Sequence, residues 1–150
     1  MTEYVIPYLH PLAVHFPLAL LLTGAGTAVL YALTGTAFWR KATLLLFLLG
    51  FVGAIVARQS GEAMEEDVEG EEMAELFLED HEAMANRTIL AAGLTLLILV
   101  VAEARAWTTH RRKDPLWLRF SVVVLAVLSG VLVAYTGHLG GLMVWGIPAG

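Results

Sequence analysis

Cysteine is absent from this chain, and its absence removes three kinds of chemistry at once. There can be no disulfide framework, no thiolate metal centre and no covalent haem attachment through C-x-x-C-H. A histidine-ligated haem is untouched by that exclusion. Charge is scarce too: 15% of the 150 residues are Asp, Glu, Lys or Arg, against about 25% in ordinary soluble domains. No basic stripe with interleaved aromatics is present, which argues against nucleic acid as a partner. There is no glycine loop built to cradle phosphate. Ser60 and Ser129 have no His–Asp arrangement around them in the sequence, so no catalytic residue is assigned. No inverted repeat or pair of broken helices marks a transporter. The N-terminus lacks the basic region and small-residue cleavage site of a secretory signal, with Glu3 its only early charge. The first apolar segment is therefore expected to stay in the mature protein.

What the chain has in quantity is hydrocarbon. Hydrophobic residues make up 58% of it, and the mean hydropathy is +0.72. A bilayer core of about 30 Å takes roughly 20 apolar residues as a helix. Four segments meet or approach that length: Leu12 to Leu33, Ala42 to Ala57, Arg87 to Ala106 and Leu116 to Thr136. The second is short and is expected to continue through Arg58 and Gln59 above the lipid. The reading is all-α: one domain over 1–150, an integral membrane four-helix up-down bundle with an extended third helix.

Basic residues orient it. Arg40 and Lys41 follow the first segment, and Arg105, Arg111, Arg112 and Lys113 follow the third, with Arg119 just inside the fourth. Only Arg58 and Arg87 lie on the other side. Positive residues stay in the cytoplasm, so both termini and the loop from Arg58 to Asp80 are expected to face outward across a bacterial inner membrane. That loop is crowded with acids. It reads as a solvated helical face, or else as a docking patch for a basic partner such as a cationic electron carrier.

Four of the five histidines then share one rim. His10 and His15 open the first segment in HPLAVHFP, His81 leads into the third, and His138 follows the fourth. His110 sits apart in the basic loop, where it is expected to be solvated. Met73, Phe77, His81, Met84 and Thr88 recur at steps of four, four, three and four, one stripe of a helix. This puts His81 on an apolar face, where it needs a partner: a ligand, or a backbone carbonyl. His15 shares its stripe with Ala19, Leu22 and Gly26, small enough to admit another helix or a flat ring, and is expected to point into the bundle. His10 lies about 140° away from it around the same helix, and serves as a ligand, a cap or a hydrogen-bonding group. Pro11 suits a helix start, and Pro17 disturbs the first turn. Gly137 is placed to end the fourth helix. Gly140 and Gly141 then form either a plain tail or a lid over the cluster, with His138 as ligand.

Arg58 and Arg87 are the cations of this rim. Their planar forks suit the propionates of a haem, unless they pair with Glu62, Glu82 or another loop acid. Gln59, Ser60 and Asn86 are available to bond the second ring nitrogen of a ligand.

With HPLAVHFPLALLL, Ser60–Gly61, His81 with Asn86 and the GHLGG tail in view, the chain resembles a bacterial family of four-helix predicted membrane proteins, the domain of unknown function 2231. The resemblance covers nearly the whole length. Its most specific part is the H-P-x-x-V-H-F-P opening, on His10, Pro11, Val14, His15, Phe16 and Pro17. Relatives often carry a further histidine after the Gly-Gly pair. Here Trp145, Gly146 and Ile147 occupy that stretch, and His138 lies before the pair instead. The resemblance implies a redox setting, because some relatives are fused to cytochrome c modules, and it implies no activity.

The expected function is a b-type cytochrome: haem b, one or two, near the outer face. His15 and His81 are the preferred ligands, with His10 and His138 as a second pair or in support. Quinol, a periplasmic cytochrome or a larger respiratory complex would be partners beside the lipid bilayer, and a homo-oligomer is open. The alternatives are a non-haem copper, zinc or iron ion held by the same histidines, and a structural or accessory subunit whose histidines only bond internally.

Overall fold

The computed structural model describes residues 9–68, 72–109 and 114–146. The helices are α1 (His10–Ala13), α2 (His15–Thr34), α3 (Ala37–Val68), α4 (Glu72–Thr109) and α5 (Leu116–Trp145). No strand occurs among the described residues. Glu3, His110, Arg111, Arg112, Lys113 and Ile147 lie outside them, as do the side chains of the acidic stretch 65–74.

Local chemistry sets the ends. Pro17 has no N–H to give the Ala13 carbonyl, so the ladder loses that one rung, while Val14 still donates to the His10 carbonyl and accepts from Leu18. Val14 keeps right-handed helical angles (φ −65°, ψ −24°), so α1 and α2 continue as one span, His10–Thr34. Gly35 stops it with φ 64° and an N–H donated to the Tyr31 carbonyl at 2.8 Å, a left-handed cap that glycine adopts without a steric cost. α5 was expected to end near Gly137. Instead it runs through Gly137, Gly140 and Gly141 and stops at Gly146 (φ 74°). The glycines are used for packing here: a Cβ at Gly137 would touch Leu18, and one at Gly140 would touch His81. The tail is therefore helix as far as Trp145. α3 is likewise longer than its apolar core, with 32 residues, or about 48 Å at 1.5 Å per residue.

Among the described residues, four helices are long and apolar enough to cross a membrane: His10–Thr34, Ala37–Met64, Glu75–Thr109 and Leu116–Trp145. Only 28–33% of each apolar window is buried inside the bundle. The rest is a belt of exposed Leu, Val and Phe that would be intolerable in water and is at home in hydrocarbon, where each helix satisfies its own backbone.

α2 packs on α3 and α5, and α4 packs on the same two. The core runs through Leu21, Ala28, Tyr31, Phe47, Ala92, Leu99, Val122, Ala126 and Val133. Close approach of α2 and α3 depends on missing side chains: a Cβ at Gly24 would lie 2.8 Å from Phe47, and one at Gly50 would lie 2.7 Å from Leu21. Small residues at helix crossings are how membrane bundles gain contact. The bundle brings His10, Ser60, His81 and Gly140 to one end, and Tyr31, Arg40, Glu103 and Asp114 to the other.

Candidate functional site

At the histidine end, two imidazoles from different helices face each other. The His10 and His81 ring centroids are 6.3 Å apart with planes at 81°. His10 Nδ1 lies 2.8 Å from the Ala57 carbonyl and 3.1 Å from Ser60 Oγ, both on α3. His81 Nδ1 lies 3.0 Å from the Thr136 carbonyl on α5. A carbonyl can only accept, so in each ring Nδ1 carries the proton and donates it. In that tautomer Nε2 is the nitrogen whose lone pair a metal would take, its other nitrogen anchored by backbone. Ser60 Oγ also donates to the Ala57 carbonyl at 2.8 Å, closing a three-member cluster around His10. The Thr88 and Thr136 hydroxyls meet at 3.2 Å, two turns along α4 from His81.

Two glycines lie flat against these rings. A Cβ at Gly61 would stand 3.0 Å from His10 Cε1, and one at Gly140 would stand 3.3 Å from His81 Cε1. Both histidines are half-buried. The Ser60–Gly61 and Gly140–Gly141 pairs singled out in the sequence therefore bracket one site from opposite helices.

The other histidines are placed differently. His15 was expected to point inward, and it does not. It is exposed, and its Nδ1 donates to the Pro11 carbonyl of its own rod at 2.6 Å. The buried stripe of α2 is Pro17, Leu21, Gly24, Ala28 and Tyr31, which turns the stripe of His15 away from the core. His138 is also exposed, its ring tilted against Tyr135 at 6.4 Å. The structure thus brings His81 together with His10, and not with His15 or His138. Arg58 pairs with Glu62 one turn on at 2.7 Å. Arg87 is exposed and reaches Met84 Sδ at 3.7 Å. Gln59 and Asn86 are exposed and bond neither ring nitrogen, whereas Ser60 bonds His10.

The opposite end holds a buried charge cluster that reading the sequence did not single out. Arg40 Nη1 meets Asp114 Oδ2 at 2.7 Å, Arg40 Nε meets Glu103 Oε2 at 2.7 Å, and Tyr31 donates to Asp114 Oδ2 at 2.7 Å. Arg40 and Asp114 are 5% and 6% exposed, so this is an interior ion pair. Lys41 approaches Glu103 at 3.7 Å, and Arg119 Nη1 donates to the Ala32 carbonyl at 2.8 Å. One residue or more from each of the four spans, or from the loop before α5, is tied in. The signal available beforehand was the pair of lone acids, Glu103 and Asp114, among the basic residues of this rim.

A family model described as "Predicted membrane protein (DUF2231)" matches residues 7–150. No curated protein and no solved structure matches the chain. The chain belongs to the DUF2231 family of predicted membrane proteins.

Proposed function

We propose that this DUF2231 member is an integral membrane b-type cytochrome-like protein, in which His10 and His81 hold one haem b between α1 and α4. The observation that carries the reading is the facing pair of imidazoles, each with Nδ1 tied to a neighbouring helix and Nε2 the nitrogen left for a metal.

Ligand number favours haem over a bare ion. Two protein nitrogens complete a haem iron, whose other four ligands are the macrocycle's own. A zinc site takes three or four protein ligands, and among the described residues no three His, Asp or Glu are grouped to supply them. A copper, zinc or iron ion is therefore the second reading. When bound between two imidazoles, haem supplies one-electron transfer with no open position for oxygen, which suits a carrier more than a catalyst.

The chain's own residues prepare that chemistry. The Ala57 and Thr136 carbonyls fix both tautomers. Gly61 and Gly140 let α3 and α5 pack close beside the two rings, where a Cβ would crowd the imidazoles. Arg87 has no carboxylate partner among the described residues and is the guanidinium suited to a propionate, while Arg58 is already held by Glu62. The basic rim supports a cytoplasmic location for the arginine end and, with it, an outer-face position for the histidine end in a bacterial inner membrane. Quinol in the lipid and a periplasmic cytochrome or larger respiratory complex are the electron partners this reading implies.

The test is an oxidised-minus-reduced visible spectrum of protein purified in mild detergent, with pyridine extraction to count haems. His10→Ala and His81→Ala should each remove the haem signal, and His110→Ala should leave it whole. A full signal in both of the first two variants refutes the ligand assignment.

A further inference from the structure

The chain carries an internal symmetry. A shift of 71 residues takes His10 to His81, and a shift of 79 takes Ala57 to Thr136 and Gly61 to Gly140. His10 Nδ1 donates to the Ala57 carbonyl with Gly61 beside the ring, and His81 Nδ1 donates to the Thr136 carbonyl with Gly140 beside the ring. The shift of 71 also lays the buried stripe of α2 (Pro17, Leu21, Gly24, Ala28 and Tyr31) on Thr88, Ala92, Thr95, Leu99 and Ala102 of α4, all of them buried. The shift of 79 lays buried Thr43, Phe47 and Ala54 of α3 on buried Val122, Ala126 and Val133 of α5. One contact even repeats with its sizes exchanged: Gly93 of α4 faces Phe51 of α3, and Leu22 of α2 faces Gly130 of α5. The bundle is thus two helical hairpins, α1–α3 and α4–α5, set about a pseudo-two-fold axis that runs along the spans.

The basic rim keeps this symmetry in place and breaks it in charge. The shift of 79 takes Arg40 to Arg119 and Gly35 to Asp114, and the shift of 71 takes Ala32 to Glu103. Each arginine reaches across to the other hairpin. Arg40 Nε and Nη1 meet Glu103 and Asp114, each at 2.7 Å. Arg119 meets the equivalent positions, which carry no carboxylate. Its Nη1 donates to the Ala32 carbonyl at 2.8 Å, and a Cβ on Gly35 would stand 2.7 Å from that nitrogen. Its Nε is buried with no hydrogen bond among the described residues. Outside Glu3 and the stretch 62–82, Glu103 and Asp114 are the only acids in the sequence, and Arg40 takes both. A guanidinium keeps its charge, and the C-terminal end of α2 offsets only about half a unit of it. Arg119 therefore lacks the anion that its twin has.

The surroundings decide what supplies that anion. Leu33 and Phe120, next in sequence to Ala32 and Arg119, are 76% and 62% exposed, and Trp117, one turn before Phe120, is 65% exposed. Exposed apolar side chains with a tryptophan at the end of a span mark the boundary between hydrocarbon and headgroups, and the anions of that layer are phosphates. Arginine takes a phosphate through two parallel hydrogen bonds. A zwitterionic headgroup carries its own cation beside that phosphate, whereas phosphatidylglycerol carries none and keeps its negative charge. We propose that Arg119, at the seam between the end of α2 and the start of α5, binds the phosphate of one anionic phospholipid in the place that Glu103 fills at Arg40. The site stands on α2 and α5 and is independent of the haem reading.

The test is native mass spectrometry of the full chain, delipidated in detergent and titrated with phosphatidylglycerol or with phosphatidylcholine of the same acyl chains. About one phosphatidylglycerol per chain should bind roughly tenfold or more tighter than phosphatidylcholine, the scale of one hydrogen bond to a charged group. Arg119→Gln should remove that preference, and Arg105→Gln, which takes the same charge from the same rim, should keep it. Ala32→Glu leaves Arg119 in place and supplies the missing carboxylate. It should abolish the preference while raising the midpoint of unfolding in SDS, so the answer does not depend on an arginine variant that fails to fold. Inorganic phosphate in large excess should not compete. The proposal fails if the two lipids bind alike, or if the preference survives Arg119→Gln or Ala32→Glu. It fails too if Arg105→Gln removes the preference as fully, which makes the attraction a diffuse property of the rim, or if free phosphate displaces the lipid, which makes this a site for a soluble anion.

Discussion

Replacing Asp114 should damage this protein more than any other single surface-end substitution. The carboxylate accepts two short hydrogen bonds at one oxygen, from Arg40 Nη1 and from Tyr31 OH, both at 2.7 Å, and it is 6% exposed. Asp114→Ala leaves a buried guanidinium with Glu103 as its one close carboxylate among the described residues, and Glu103 is one-third exposed. Removing one partner of a buried ion pair costs about 3–5 kcal/mol. The orphaned Tyr31 hydroxyl adds to that, since a buried donor left unmade costs about 1–3 kcal/mol. Against this, helices unfolded within a micelle find other polar partners, which pulls measured values down. The expected loss is therefore about 3 kcal/mol, read as a shift in the unfolding midpoint by SDS titration in mixed micelles. Tyr31→Phe, which removes only the hydroxyl, should cost about 1 kcal/mol. Replacing Arg40 and Asp114 together with Met and Leu should cost clearly less than the sum of the two single changes, because no charge is then stranded. An Asp114→Ala protein within about 0.5 kcal/mol of the parent would refute the reasoning, because the network would then be solvated and not interior.

Other outcomes follow from the same geometry. His15→Ala and His138→Ala should keep the haem spectrum that His10→Ala and His81→Ala lose, since only the latter two rings face each other; loss in all four would restore a four-histidine site. Gly61→Ala should disturb the spectrum more than Gly140→Ala, because the new Cβ would meet its imidazole at 3.0 Å in the first case and 3.3 Å in the second. Ser60→Ala should retain haem while shifting its reduction potential, because His10 keeps the Ala57 carbonyl and loses only the hydroxyl neighbour. Gly50→Ala sets a Cβ 2.7 Å from Leu21 and should destabilise the α2–α3 contact by about 1–3 kcal/mol, measured by thermal unfolding in detergent.

Much of this architecture could be read along the chain. A run of about 20 apolar residues is a local property, and helix is the one way such a run meets its backbone needs in lipid. The helical stripe through His81 was legible for a related reason: the acids of 75–82 contrast with Phe77 and Met84, so the face shows. The first span gave no such contrast. It is apolar on nearly every side, and a stripe carrying His15, Ala19, Leu22 and Gly26 looked as suitable for burial as the one carrying Pro17, Leu21, Gly24 and Ala28. Gly137 looked like a stop because glycine is a poor helix former. In the bundle its missing side chain admits Leu18, and packing overrides the propensity.

Composition and hydropathy thus determined a four-span, all-helical membrane protein with its histidines gathered toward one rim, because burial in lipid depends only on how much hydrocarbon each stretch of chain carries. The tertiary structure decided which imidazoles meet, His10 with His81, and that Arg40, Asp114, Glu103 and Tyr31 close the other end. Those choices depend on the rotation of each rod about its own axis and on the register between rods. Both are set by small residues and interlocking side chains from distant parts of the chain, and neither is encoded in any one segment.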